Sequence, residues 1–305
     1  MKLHWYDRKD DKHYLKRYAG CQLIEKFESF SADIEERTFN ILATSTEIAE
    51  ILLDAFAGLD DNFPDLNLRF GWIGNEKVDV ASREIPFGKT LIVGKDKDIK
   101  GYLKVPNVKV VHISSRTRDL QPHIGFQRHL AKNDNPRSIS LGEMQTDLSD
   151  SETIIRTAEA IHLHLDALRY EDSLSEHSPI TGLDIYTTCK LMRLAGLSKK
   201  LQLLCINTVT DTIPVRTAET ISTMIWYFLE GQINKEIETM KQKENDIYLV
   251  SSNLYDDPIK FVVGNKTGRW WYQHPSTKEY LPCSDKDYKA ISMGNLPDAI
   301  LSLQD

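Results

Sequence analysis

The chain has 305 residues, 41% hydrophobic and 27% charged, enough to bury a sizeable α/β core. Its 45 acidic and 38 basic residues give a net charge of −7 with no long basic stripe, which argues against a general nucleic-acid binder. No stretch approaches the roughly 20 apolar residues of a membrane span, and Met1–Gly20 has no apolar signal-peptide core, so the expectation is a cytoplasmic protein that works away from membranes. Cys21, Cys189, Cys205 and Cys283 lie far apart and form no CxxC pair, so they read as reduced thiols and not as a zinc ribbon or a catalytic nucleophile.

In chain order, residues 1–45 are charged and weakly periodic and read as an N-terminal extension. A helix follows over Thr46–Ala57 with Gly58 as its stop. From about residue 88, near-continuous apolar runs alternate with amphipathic stretches. Thr90–Gly94, Val108–Ile113, Ile161–Leu165 and Lys200–Asn207 read as strands buried on both faces of a parallel sheet. Leu183–Ala195 reads as a helix with Thr181 as N-cap and Gly196 at its end. Thr217–Leu229 carries Ala218, Ile221, Met224, Ile225 and Phe228 on one stripe and is expected to stop near Gly231. The alternation predicts a three-layer, doubly wound α/β domain over 46–244, with a mostly parallel sheet and helices on both faces. Glu236–Lys243 reads as a solvated helix end. Residues 245–305 carry strand-like segments (IYLVSS, IKFVVGN, RWWYQH) parted by Asp256-Asp257-Pro258 and Lys266-Thr267-Gly268, and read as a β-rich appendage on the same domain.

Two stretches carry a family resemblance. Met192–Gly231, with AGL, a strand, a polar loop and then TAETISTMIWYFLEG, resembles the final strand–helix unit of arginase-family proteins, the ureohydrolases. GRWWYQHPSTKEYLPCSDKDY, residues 268–288, resembles the C-terminus of bacterial formimidoylglutamase-like members. The resemblance covers roughly residues 88–290. It implies an arginase-like fold and, for a typical member, two Mn²⁺ ions held by six ligands from three motifs.

Those motifs are altered here. Where the family has GG-D-H, the chain has Gly94-Lys95-Asp96-Lys97. Where it has D-A-H-x-D, the chain has Ser115-Arg116-Thr117-Arg118-Asp119. Where it has D-x-D and then A-L-D-P, the chain has His164-Leu165-Asp166 and then Ala167-Leu168-Arg169-Tyr170. The resemblance thus maps the six ligand positions onto Lys97, Ser115, Thr117, Asp119, His164 and Asp166, of which only Asp119 and Asp166 keep a carboxylate. His123 and Gln127, within a segment similar to HIGYQ of the relatives, are expected on the pocket wall, and an ordinary loop histidine is the equal alternative for His123 and His129.

The resulting expectation is an arginase-family homologue without ureohydrolase activity, with no catalytic residue and no cofactor, acting as a binding or assembly protein with a protein partner or copies of itself. The alternative is a metal-dependent C–N hydrolase, formimidoylglutamase- or agmatinase-like, holding one manganese or zinc ion on Asp119, His164 and Asp166. His162, His164 and Asp166 at i, i+2 and i+4 of one strand would share a face, although His162, mid-strand, reads more simply as a core histidine. Lys97, Arg116 and Arg118 leave open a third reading, a small-anion site. Trp270, Trp271 and Tyr272 are expected to pack against a domain face and not to stack a ligand.

Overall fold

A computed structural model describes residues 2–7, 22–23, 38–43, 67–72, 89–94, 109–114, 138–139, 141–158, 160–173, 180–201, 203–207, 215–237, 245–252, 255–295 and 297. In the strands up to residue 114, and at His162, His164 and Asp166, the description is of the backbone alone. The expected helix over Thr46–Ala57 and most of Glu236–Lys243 lie outside the described residues.

Among the described residues nine strands form one sheet: β1 Lys2–Asp7, β2 Gln22–Leu23, β3 Thr38–Ala43, β4 Asn67–Trp72, β5 Lys89–Gly94, β6 Lys109–Ser114, β7 Ser138–Ile139, β8 Ala160–His164 and β9 Leu203–Asn207. Their order is β2-β1-β4-β3-β9-β8-β5-β6-β7, and every described pairing is parallel. The runs at 89–94, 109–114, 160–164 and 203–207 are strands, as their near-continuous apolar character predicts. The sheet also takes in β1 and β3, so the composition boundary at residue 45 does not set the first residues apart from it.

The described helices are α1 Leu141–Thr146, α2 Ser149–Thr157, α3 Tyr170–Ser173, α4 Ile185–Gly196, α5 Val215–Ile233 and α6 Asp285–Ser292. Ile221, Met224, Ile225, Phe228 and Leu229 on α5 are fully buried; Leu191, Met192 and Ala195 of α4, which packs against α5, are buried too, as are Leu204 and Ile206 of β9. The stripe read from the sequence is therefore the buried face. Gly231, however, lies inside α5 and does not stop it. The reason is steric: a Cβ on Gly231 would stand 2.3 Å from the Arg193 carbonyl oxygen and 2.9 Å from the Cα of Gly196. The two glycines mark a backbone-to-backbone crossing of α4 and α5.

The C-terminal region forms a second, antiparallel sheet of β10 Asp246–Ser252, β11 Tyr255–Val263, β12 Trp270–Gln273 and β13 Tyr280–Cys283, in that order. Asp256-Asp257-Pro258 lies within β11 and is not the turn its composition suggests. Pro258 has no N–H to give a ladder, and it sits where the β10–β11 register shifts between Val250 and Ser252. α6 packs its Ile291 and Tyr288 against Ile259, Phe261 and Tyr272. A capping box starts it: the Ser284 N–H donates to Asp287 Oδ2 at 2.7 Å, and the Asp287 N–H donates to Ser284 Oγ at 3.2 Å.

Two successive hairpin turns share one geometry. The Gly264 N–H donates to the Arg269 carbonyl and the Gly268 N–H to the Gly264 carbonyl; the His274 N–H donates to Glu279 and the Lys278 N–H to His274 in the same way. Gly268 has φ +67° and its counterpart Lys278 has φ +59°. A side chain in that left-handed region costs about 1–2 kcal/mol, partly offset by the extra freedom glycine has when unfolded. Lys278→Gly is therefore expected to raise stability by roughly 0.5 kcal/mol, and Gly268→Ala to lower it by about 1 kcal/mol. Paired denaturant melts read both, and a destabilised Lys278→Gly would contradict the account.

The two sheets are tied at the start of α2. Asp147 accepts from the Ser149 N–H at 2.9 Å and the Ser149 hydroxyl at 2.6 Å, and its other oxygen stands 2.9 Å from Lys286 Nζ on α6. The Ser149 hydroxyl and then Lys286 hold its carboxyl down at about 2, below the ordinary 3.8. A depressed carboxylate stabilises the fold fully above its unfolded value, and that contribution fades as pH falls through the folded value. Asp147→Asn is expected to cost on the order of 1 kcal/mol at neutral pH, allowing for solvent screening at a part-exposed site. The deficit should shrink between about pH 4 and pH 2; an unchanged deficit at pH 2 would rule the linkage out.

Candidate functional site

The connections of the parallel sheet fix where a site can form. From β5 the chain moves outward to β6, while from β8, which lies beside β5, it moves the opposite way to β9. The β5–β8 pair is thus a topological switch point, where crossovers diverge and leave a crevice outside the carboxyl ends of the strands. Gly94 ends β5 opposite Ser114, which ends β6; Val93 pairs with Leu163; and His164 ends β8 opposite Asn207, the end of β9. Carboxyl ends of four adjacent strands therefore line one stretch of the sheet edge.

The sequence candidates distribute along that edge. His164 is the last residue of β8, and Asp166 sits two residues later. Ser115 is next in the chain after Ser114, and Lys97 comes three residues after Gly94. Lys97, Ser115, Thr117, Asp119, His123 and Gln127 themselves lie outside the described residues, as do Arg116, Arg118 and His129. His162 is mid-strand, opposite Ile92 and Cys205. One geometric expectation changes. β8 stops at His164, and Leu165–Ala167 is a turn of 3₁₀ helix, so Asp166 does not continue the strand alternation of His162 and His164.

That turn is held from below by residues the sequence reading passed over. The Leu183 N–H donates to the Ala167 carbonyl, and the Arg169 N–H donates back to Leu183, both at 3.0 Å. Gly182 permits this approach, since a Cβ there would lie 2.4 Å from the Arg169 nitrogen. Arg169 pairs with Asp172, whose carboxylate also accepts from the Ile185 N–H at 3.2 Å; the Thr220 hydroxyl donates to the Asp172 carbonyl at 2.8 Å. The Asp172 hydrogen bond raises the Arg169 pKa above its ordinary value. The N-cap of α4 is Asp184, accepting from the Thr187 N–H at 2.8 Å, and not Thr181. Thr181 precedes the bridge between Leu168 and Leu183, which keeps the chain extended until Asp184. Gly182-Leu183-Asp184 ahead of a helical stripe carries the signal, because an aspartate caps better than a residue three positions upstream.

The residue types at the six positions that the resemblance assigns to ligands differ from those of its dinuclear manganese motifs. Divalent manganese ions take clustered hard carboxylates, with imidazole as a secondary ligand. The positions offer two carboxylates, one imidazole, two hydroxyls and the ammonium of Lys97. A fixed cation at a ligand position repels a metal and neutralises the carboxylates that would bind it. Among the described side chains, no group of three His, Cys, Asp or Glu could hold a metal ion.

The remaining sequence candidates are packing elements. Trp270 stacks on Tyr288 with ring centroids 4.9 Å apart and on Tyr248 at 5.6 Å. Trp271 lies under the Arg156 guanidinium at 5.0 Å, and Tyr272 is buried. Burial pushes the Cys189 thiol up to about 11, with Asp172 and Asp184 adding to the shift, and burial also raises Cys283 well above its ordinary value. Neither is a ready thiolate nucleophile. A cavity of about 1000 Å³ opens between α2, the end of α4, the 264–268 turn and α6, with Arg193, Lys266, Arg269, Trp270 and Tyr288 among its lining residues.

No family model matches the sequence, and neither does any curated protein. Solved structures do match by shape. Arginase from Bacillus subtilis superposes with a TM-score of 0.47 at 10% identity, over 63% of this chain and 98% of that one. Trypanosoma cruzi formiminoglutamase with Mn²⁺ gives 0.49 at 12% identity, over 68% and 98%. Formimidoylglutamase from Bacillus subtilis gives 0.49 at 10% identity, over 74% and 98%. These three neighbours are an arginase and two formimidoylglutamases. Among the described residues no helix is long and apolar enough to cross a membrane.

Proposed function

We propose that this chain is an arginase-family protein, three-layered with helices on both faces of its sheet, that has left dinuclear metal chemistry and serves as a binding or assembly protein in the cytoplasm. One observation carries the reading: four of the six positions that the motif resemblance assigns to metal ligands are Lys97, Ser115, Thr117 and His164. The backbone supports it, because the strands ahead of all three motifs end side by side at the switch point. Every described pairing in the sheet is parallel, and parallel sheets are covered on both faces, which favours the three-layer arrangement. The partner is another protein or further copies of the chain; nucleic acid is disfavoured by the net charge of −7.

A second reading rests on His164 at the very end of β8. With Asp119 and Asp166 it would give one imidazole and two carboxylates for a single manganese or zinc ion, supporting C–N hydrolysis of an amidine or guanidino substrate.

Elemental analysis of the purified protein before and after manganese loading separates the two readings, together with assays on arginine, agmatine and formimidoylglutamate. The expected result is no stoichiometric metal, no turnover above a protein-free control, and a melting temperature unmoved by chelator. Lys97→His alone is expected to restore no manganese binding, since Ser115 and His164 still leave the site short of anionic ligands. Two firmly held manganese ions per chain would overturn the proposal, and one ion whose removal lowers the melting temperature would establish the single-metal hydrolase.

A further inference from the structure

We draw no further inference here: the strongest candidate, the cavity between α2, the end of α4, the 264–268 turn and α6, has most of its charged walls paired with neighbours (Arg193 with Glu230, Arg269 with Glu152, Lys289 with Asp285), and nothing in it points to a ligand.

Discussion

Glu152→Gln is expected to lower stability by about 3–5 kcal/mol, the cost of leaving buried charge without its counter-ion. Glu152 on α2 faces two guanidiniums: Arg156 Nε at 2.6 Å and Arg269 Nε at 2.8 Å. Both arginine side chains are only 6% exposed, so neither can turn to water when the carboxylate is neutralised. Burial lowers the Arg156 pKa, Glu152 opposes that shift, and Arg269 adds to it, so Glu152 is what keeps the pair of cations tolerable. Arg156 also donates through Nη2 to the Cys283 carbonyl at 3.0 Å, so the cluster fastens α2 to the end of β13. Urea melts of the wild type and Glu152→Gln measure the effect, with Lys289→Ala as a control that removes only an exposed pair with Asp285 and should leave the midpoint in place. Replacing Glu152, Arg156 and Arg269 together by apolar residues of similar volume is expected to recover much of the loss, because the penalty lies in the unpaired charge and not in the missing bridge. A single Glu152→Gln change costing under about 1 kcal/mol would show that the cluster is solvated after all.

How legible this was in the sequence depended on the range of the forces involved. The strands at 89–94, 109–114, 160–164 and 203–207 were readable because each is a short apolar, β-branched or leucine-rich run parted from the next by longer polar or amphipathic stretches. β1 and β3 were not. In KLHWYD and TFNILA polar residues interrupt the apolar ones, and the charged residues around them dominate any composition average. β13 contains Pro282, which normally demotes a run, yet its place at the edge of the second sheet leaves room for a residue without a donor. α6 was written in its capping box, Ser284 to Asp287, but eight residues of polar character are too short for periodicity to register.

For the site, the residue types were legible and the geometry only in part. The apolar run Ile161–Leu165 located β8 to within a residue at each end, although the strand stops at His164 and not at Leu165. The switch point could not be located, because strand order is set by pairings between residues far apart in the chain, such as Leu42 of β3 with Cys205 of β9. The 3₁₀ turn that takes Asp166 out of the strand depends on Leu183 bonding back to Ala167, a contact no local propensity encodes. Arg169 and Asp172, three residues apart, were visible as a pair on paper. Only the fold shows that Asp172 also receives the first N–H of α4 and so ties the turn after β8 to that helix.

The largest steric effect should come from Gly196→Ala. At most helical sites this change helps, because alanine is the better helix former by about 1 kcal/mol. Here a Cβ on Gly196 would sit 2.1 Å from the Phe228 carbonyl oxygen, 2.9 Å from the Cα of Gly231 and 3.0 Å from the Gln232 nitrogen. All three are backbone atoms of α5, so no side chain can swing aside; the helices must separate or the Phe228 carbonyl must leave its own hydrogen bond. Separation would lift Ile225, Phe228 and Leu229, which are fully buried, away from Leu191, Met192 and Ala195 on the α4 side of the core. Overpacking typically costs about 1–3 kcal/mol where neighbours can yield, and with rigid backbone on every side the expected loss is at or above the top of that range. Gly231→Ala meets the Arg193 carbonyl at 2.3 Å from the other side and should cost a similar amount. Because both changes push the same two helices apart, the double variant should lose less than the sum of the singles. Chemical melts of the three variants, checked by far-ultraviolet circular dichroism for intact helix content, measure this. A Gly196→Ala protein as stable as the wild type would mean that α4 and α5 do not cross at these glycines.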